Sequence, residues 1–277
     1  MEVLTIVLSG LLSLLSSGGI ILDSLAGKTI SSQVSQVEQQ QVRLDNVPSY
    51  QVVGGKIQKI RVATRGVRLK QGLRIEAFEL ETDPVNLDRS QLNFRSLKEL
   101  RKSLKDPLQG AVRLRLTETD LNQGLQSPEI QKPLQDSLNR LVARKAGSTN
   151  IAYELRDLRL ELHSDNFVVL QFKLNRAGIP SDRDSELVIA LKLKIEVSNG
   201  KTIALVDPQG TVNNRPMSSR LLQGFASGIS DRLDLGNLET KGIVARFLQL
   251  EINEDRIELA SFVRMETKSS DLSSSKL

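Results

Sequence analysis

The sequence has no cysteine, no tryptophan and only one histidine, and aromatic residues make up 3% of its 277 positions. The absence of cysteine excludes disulfides, thiolate catalysis and cysteine-based zinc sites. The single histidine, His163, does not make a metal site without several carboxylates around it. Few aromatic rings argue against a surface that stacks nucleic-acid bases. We therefore expect no metal, no cofactor and no nucleic-acid partner.

Catalytic motifs are equally scarce. Gly54-Gly55-Lys56 lacks the spacing and the following Ser or Thr of a phosphate-binding loop, so we interpret it as a turn. Ser218-Ser219 precedes a helical pattern and has no histidine nearby, which is typical of a helix cap rather than of a nucleophile. No spacing of carboxylates supports glycosidase-type hydrolysis. We therefore predict no catalytic residue and no enzymatic activity.

What the chain does contain is mostly aliphatic and mildly basic. It has 45 leucines, 39% hydrophobic residues, 26% charged residues and a formal net charge of +5. This composition is ordinary for a globular protein and excludes global disorder. We divide the chain into an apolar N-terminal segment (1–22), one domain (23–266) and a serine-rich tail (267–277) that we expect to be disordered.

The apolar segment from Val3 to Leu22 carries no charge, and as a helix it would span about 30 Å, the thickness of a bilayer core. Three interpretations stay open: a membrane anchor or uncleaved signal, a cleaved signal peptide, and a helix that lies on a membrane or packs on the fold. Ser24-Leu25-Ala26 suits a cleavage site, but the Met-Glu start lacks the basic residues of a signal. All three place the protein at or beyond a membrane.

Alternation of apolar and polar residues indicates strands over most of the domain. It is cleanest from Leu187 to Val197, and Asn199-Gly200 then predicts a hairpin turn. Helical spacing predicts helices from Asp23 to Gln39, from Thr117 to Leu125, from Ser127 to Leu141 with a break or a late start at Pro133, and from Pro216 to Leu233. Strands and helices do not alternate along the chain, so we do not expect a doubly wound parallel sheet. The pattern favours an α+β protein with a long, strongly curved antiparallel sheet and amphipathic helices on one side.

Two strands and the last helix offer a continuous aliphatic face. Such a face can hold acyl chains without directional contacts, because burying hydrocarbon contributes about 25 cal/mol per Å². It can equally be an ordinary core, and the sequence leaves both readings open. Within it we predict that Leu191 and Leu193 point inward while Lys192 and Lys194 point outward. The candidate acyl-chain residues are Leu170, Phe172, Leu174, Leu187, Ile189, Leu191, Leu193, Ile195, Leu221, Phe225 and Ile229.

Seven cations fall within nineteen residues, from Lys56 to Arg74, with no acid among them. The run can be a solvated strand face, or a patch that attracts anionic phospholipid headgroups, where each cation contributes about 1 kcal/mol. Arg61 and Arg65 share one strand face by parity, and Arg68 joins them only if a nearby glycine shifts the phase. The candidate headgroup residues are therefore Arg61 and Arg65, followed by Arg68.

Six short segments occur in an order that resembles a known family. They are Leu22 to Gln39, Val42 to Tyr50, Gly54-Gly55-Lys56-Ile57, Val67-Arg68-Leu69, Phe78-Glu79-Leu80-Glu81-Thr82-Asp83-Pro84-Val85 and Leu116-Thr117-Glu118-Thr119-Asp120-Leu121-Asn122. Together they are similar to the LmeA-like family of phospholipid-binding proteins, in its cyanobacterial branch, over roughly Leu22 to Met265. The resemblance implies a tubular lipid-binding (TULIP) fold like that of bactericidal/permeability-increasing protein, in which a curved antiparallel sheet wraps around a long helix and leaves an apolar groove.

The resemblance also implies a location and a function. Members are membrane-associated and extracytoplasmic, here on the periplasmic or thylakoid side, and they bind phospholipid, including phosphatidylinositol in the mycobacterial case. The family carries over no catalytic residue. The hypothesis is therefore non-catalytic phospholipid binding at a membrane surface, extending to lipid transfer or envelope-lipid maintenance. The alternative is a membrane-anchored structural or assembly protein with a fully packed core and no lipid cavity.

Overall fold

The computed structural model describes residues 34–45, 55–70, 72–88, 90, 97–146, 153–176 and 186–267. Within these ranges the chain forms two large antiparallel sheets, of six and five strands, and one pair of two-residue strands. This arrangement agrees with the α+β prediction, although two sheets stand where one long sheet was expected. The expectations for segment 1–22 and for the tail after Thr267 lie outside the described residues.

The six-stranded sheet, called sheet A here, brings together strands from both ends of the described chain. Its strands are β1 (Val34–Asp45), β3 (Lys59–Leu69), β4 (Arg74–Thr82), β6 (Leu108–Thr117), β12 (Ile243–Ile252) and β13 (Arg256–Met265). They lie side by side in the order β1-β3-β4-β6-β13-β12. The short strands β2 (Lys56–Ile57) and β5 (Val85–Asn86) pair with each other.

Strand β1 corrects the sequence analysis. A helix was expected to continue to Gln39, but the chain is already extended from Val34 and pairs with β3 at ten positions. The helical pattern there was weak, since only Val34 and Val37 marked its apolar face. A run of backbone hydrogen bonds to a neighbouring strand outweighs a propensity of that size.

The five-stranded sheet, called sheet B here, has the order β11-β10-β9-β8-β7. Its strands are β7 (Tyr153–His163), β8 (Phe167–Arg176), β9 (Glu186–Ser198), β10 (Thr202–Val212) and β11 (Arg215–Pro216). The predicted hairpin between β9 and β10 is confirmed: Asn199 and Gly200 have φ of 52° and 64°. Two consecutive positive φ values are what a tight hairpin turn requires, which explains the Asn-Gly pair.

Within the described ranges, four α-helices accompany the sheets: α1 (Leu97–Ser103), α2 (Glu118–Leu125), α3 (Pro128–Ala146) and α4 (Ser219–Ser230). Two 3-10 segments, Asp231–Leu233 and Leu235–Lys241, follow α4. Thr117 caps α2 and Ser218 caps α4, each accepting a hydrogen bond from a backbone N–H three residues on. The break expected near Pro133 is absent, because α3 continues through that residue.

Helix α4 packs on the inner face of sheet B with a face different from the expected one. It buries Leu222 and Ala226, whereas Leu221, which the sequence analysis had placed on the apolar face, is exposed. Phe225 packs against the buried cluster that contains Leu222. The contact face is therefore rotated by about one residue from the predicted one.

The inward register of β9 is confirmed. Leu191 and Leu193 are 3% and 6% exposed, whereas Lys192 is exposed and Lys194 is half-buried. Leu191 lies beneath α4 in one cluster with Leu222. A Cβ added at Gly210 would lie 2.8 Å from both of these leucine side chains, so this part of the interior has no spare room.

Sheets A and B meet where β12 passes two turns of sheet B. The Phe247 N–H donates to the Gly200 carbonyl (2.7 Å), and the Ile252 N–H donates to the Asn166 side chain (2.7 Å). The Asn166 carbonyl in turn accepts from the Ile195 N–H (2.8 Å) within sheet B. A cluster that includes Phe247 extends across this junction, because Val197 and Ile203 of sheet B pack against it.

The outer face of sheet A is a charge-paired surface centred on Glu258. Arg113, Arg256 and Arg115 lie 2.7, 2.8 and 3.1 Å from its carboxylate oxygens. The hydrogen bond from Arg113 is the main cause that lowers the pKa of Glu258 to about 2, and burial opposes it. Arg256 adds a second hydrogen bond, and the charge of Arg115 acts in the same direction.

Substitution of Leu191 by Asp tests the packed interior beneath α4. We expect a loss of several kcal/mol in the free energy of unfolding, because the change buries an unpaired charge. The measurement is urea denaturation, with Val188→Asp on the exposed face of the same strand as the matched control. Equal losses for both variants would contradict the register.

Acid titration tests the Glu258 cluster. The folded-state pKa lies below the ordinary value of 4.5, so this carboxylate stabilises the fold above pH 4.5 and loses that effect as pH falls through about 2. Glu258→Gln should lower the free energy of unfolding by about 1–3 kcal/mol at pH 6. Its curve should approach that of the wild type between pH 4.5 and 2. A constant difference across this window, or the same behaviour in the exposed control Glu254→Gln, would refute the role.

Candidate functional site

The inner face of sheet A is only partly covered at its centre. Strand β6 is hydrogen-bonded to β4 on one side and to β13 on the other, yet none of its ten residues is buried. Its inward side chains, Val112, Leu114 and Leu116, are only partly buried and lie at the margin of a neighbouring cluster. A central strand normally has at least one buried face. Here the aliphatic face is present but incompletely covered.

The same partial exposure continues onto the neighbouring strands. Leu114 lies opposite Leu259 and Leu116 lies opposite Ile257 in the β6–β13 register, so their side chains share one face. We call these half-buried side chains the aliphatic strip. They lie at the margins of three separate buried clusters. The strip consists of Leu80, Val112, Leu114, Leu116, Leu250, Ile257 and Leu259.

The acyl-chain residues proposed from the sequence lie instead on sheet B and α4. Leu174, Ile189, Leu191 and Leu193 are buried. Leu221 is exposed at the start of α4. The other six are half-buried: Leu170, Phe172, Leu187, Ile195, Phe225 and Ile229. The structure therefore brings these residues onto one face, but α4 closes the part of that face around Leu191.

Sequence reasoning did not single out the aliphatic strip. The alternation from Ala111 to Leu116 is visible in the sequence and marks β6 as a strand with one apolar face. Alternation gives the parity of side chains but not what lies above them, so it cannot separate a covered face from an open one. The alternation in β6 was therefore visible in the sequence, but only the tertiary structure shows how far its apolar face is covered.

The phase of the basic run changes at Gly66, as the candidate site required. Gly66 has φ of 62°, Val67 is buried beyond it, and both Arg65 and Arg68 are exposed. Among the described residues, neither arginine has an ion-pair partner. We call Arg65 and Arg68 the free arginine pair.

Arg61, the other candidate, is already engaged by carboxylates. Its guanidinium donates to Glu81 (2.9 Å) and to Asp45 (2.6 Å). These contacts raise the pKa of Arg61, with the hydrogen bond to Glu81 as the main cause. Lys59 also binds Glu81. The exposed cations of the run that have no ion-pair partner among the described residues are therefore Arg65, Arg68 and Lys70, and Arg61 is not one of them.

Arg74 ends the run and is engaged on two sides. It makes two hydrogen bonds to Glu38 on β1, both 2.9 Å, and it lies 3.1 Å from Asp120 on α2. The hydrogen bond from Arg74 is the main cause that lowers the pKa of Glu38. The Glu38 side chain passes directly over Gly66, where an added Cβ would collide with its Cδ. Glycine at 66 therefore permits both the turn of the strand and this ion pair.

Two absences within the described residues bear on the site. No group of three or more His, Cys, Asp or Glu side chains that could hold a metal ion occurs in this part of the chain. None of the helices within it combines the length and the apolar character that crossing a membrane requires.

The geometry can be set beside known proteins. No curated protein is significantly similar to the chain. The sequence profile of the family described as LmeA-like phospholipid-binding matches residues 17–262, which include every described strand except the last few residues of β13. The match confirms the resemblance at the level of the family, and the chain belongs to the LmeA-like phospholipid-binding family.

Proposed function

We propose that this protein binds phospholipid without chemical turnover, by holding acyl chains against the aliphatic strip of sheet A. The observation that carries the proposal is strand β6, a central strand whose apolar side chains are incompletely covered. The membership of the family supplies the ligand class. The sheet supplies a face of seven aliphatic side chains.

The strip suits a ligand that exchanges with a membrane. Moving an acyl chain from a bilayer to an aliphatic surface exchanges one apolar environment for another, so the hydrophobic gain of about 0.8 kcal/mol per CH₂ largely cancels. Affinity then depends on how completely the protein covers the chain. A partly open face favours reversible holding, which is the property that lipid transfer or envelope-lipid maintenance needs.

The free arginine pair serves a different part of the same function. Arg65 and Arg68 are exposed, whereas the strip lies on the inner face of the sheet, so we assign them to headgroups of the membrane surface. A guanidinium binds phosphate oxygens through two parallel hydrogen bonds, which favours anionic phospholipid. With the charge-free segment Val3 to Leu22, this supports a membrane-bound, extracytoplasmic site of action on the periplasmic or thylakoid side.

Substitutions in the strip test acyl-chain binding. Leu114→Gln and Leu259→Gln should lower the phospholipid that co-purifies with the protein, because each places an amide where hydrocarbon must lie. The measurement is the lipid-to-protein ratio by native mass spectrometry. Leu248→Gln, at a 65% exposed leucine of β12, is the matched control. If folded wild-type protein carries no phospholipid and Leu114→Gln costs several kcal/mol of stability, the packed structural protein is the correct reading.

Vesicle binding tests the free arginine pair. Arg65→Gln and Arg68→Gln should each weaken binding to anionic vesicles at low salt by about fivefold, equivalent to about 1 kcal/mol per cation. The loss should shrink as salt rises, since exposed charges are screened within about 10 Å at 0.1 M. Arg61→Gln should weaken this binding less, because the Arg61 side chain is already paired with Asp45 and Glu81. Equal effects of all three, or unchanged binding to anionic vesicles, would contradict the assignment.

A further inference from the structure

Helix α2 lies between the two sheets, and its Leu121 packs in one cluster with Ile252 of β12, the residue that bonds Asn166 of sheet B. It contacts β4 and β6 of sheet A and β7 of sheet B. On the side of sheet B it faces the free edge of β7, which is the last strand of that sheet. An unpaired strand edge presents N–H and C=O groups that must find partners. The helices beside β7 have to supply those partners.

Side chains of α2 and α3 take the place of a neighbouring strand along this edge. Asn122 is the clearest case, because its amide accepts from the Leu160 N–H and donates to the Leu160 carbonyl, both at 2.8 Å. Gln135 of α3 repeats this pattern with the Leu155 N–H and the Tyr153 carbonyl. The remaining bonds of this amide ladder are Glu118 to the Leu162 N–H (2.8 Å) and Gln126 to the Leu158 carbonyl (2.7 Å).

The ladder arises from a match of two repeats. Glu118, Asn122 and Gln126 are four residues apart, which is about 6.0 Å along a helix. Their partners Leu162, Leu160 and Leu158 are two residues apart, which is about 6.6 Å along a strand. The two spacings stay in register for three steps, with the helix running antiparallel to the strand. Beyond Leu158 the strand bulges at Asp157, and the second helix takes over.

On the side of sheet A, α2 lies on the end of the aliphatic strip. Leu121 packs in one cluster with Leu250 and Ile257 of the strip. Asp120 binds Arg74 of β4, and a Cβ at Gly124 would lie 3.0 Å from the Leu73 side chain. Leu250 and Ile257 also pack against Leu162 and Val168 of sheet B in that cluster, so α2 and β7 cover this end of the strip together.

The two junctions between the sheets differ in kind. At β12, backbone groups of the two sheets bond directly. At α2, side-chain amides and carboxylates bond to both sheets, beside one backbone bond from the Glu118 N–H to the Asp255 carbonyl (2.9 Å) and the packing of Leu121. This second junction can part without breaking any strand pairing, and water can satisfy the amide groups that it releases.

We propose that the junction between α2 and β7 is the entry site for acyl chains, which reach the strip when the amide ladder separates. This inference rests on the proposed function and adds the path by which an acyl chain reaches the strip. The hydrogen bonds of the ladder hold the site closed in water. At a membrane, the apolar surface exposed by opening contacts hydrocarbon instead of water. The open junction admits a phospholipid acyl chain. While it is open, the free arginine pair holds the protein at the lipid headgroups.

A reversible lock on the junction tests the proposal. The chain has no cysteine, so Gln123→Cys and Arg159→Cys introduce the only two thiols, at exposed positions beside the ladder that make none of its bonds. A dithiothreitol-cleavable bismaleimide then joins them. The control is the same reagent on Gln41→Cys and Ala63→Cys, which are exposed partners in the β1–β3 register. The readout is the rate at which a fluorescent phosphatidylglycerol moves from vesicles to the protein.

The lock should slow uptake at least about tenfold, and dithiothreitol should restore it, whereas the control cross-link should leave the rate unchanged. Asn122→Ala should speed uptake several-fold, with Asn122→Asp intermediate because it keeps the acceptor for Leu160. Locked protein that takes up lipid at the unlocked rate would overturn the proposal. Protein loaded before locking keeps the two hypotheses apart. If the locked, loaded protein still exchanges its phospholipid with vesicles at the unlocked rate, the entry site is wrong. If neither locked nor unlocked protein binds phospholipid, the proposed function is wrong.

Discussion

The free edge of β7 places the strongest constraint on this fold, because its backbone groups need partners where sheet B ends. The chain meets the need with side chains of α2 and α3 in place of another strand. That solution positions α2 against both sheets. It also fixes Asp120 beside Arg74, and it lays Leu121 on the apolar surface of sheet A. The placement of the helices, the pairing of charge at the end of the sheet and the covering of the strip all depend on one edge.

Sheet A has a charged outer face and an aliphatic inner face. Its outer face is held by ion pairs such as those around Glu258, where three arginines converge on one carboxylate. Its inner face is aliphatic and only partly covered at β6. Exposed ion pairs contribute little stability each, so most of the folding free energy comes from the buried clusters on either side of the strip. A sheet with this division can keep one strand open without losing its fold.

In the basic run, ion pairing reduces the positive charge that is available at the surface. Seven cations in nineteen residues suggest a strongly positive surface, yet Lys59, Arg61 and Arg74 are bound by acids from other parts of the chain. Among the other cations of the run, Arg65 and Arg68 are both exposed because Gly66 turns the strand between them, and exposed Lys70 follows them. The count of cations in the sequence therefore overstates the charge that the folded strand leaves unpaired.

The sequence by itself determined the features that depend on neighbours in the chain. These are the alternation that defines β9, the Asn199-Gly200 hairpin, the capped starts of α2 and α4, and the family to which the chain belongs. The tertiary structure alone decided which apolar face stays open and which arginines stay unpaired. Arg61 meets carboxylates 16 and 20 positions away, and the covering of β6 depends on elements from both halves of the chain. Parity along a strand is a local property, whereas burial and charge neutralisation are set by residues that only folding brings together.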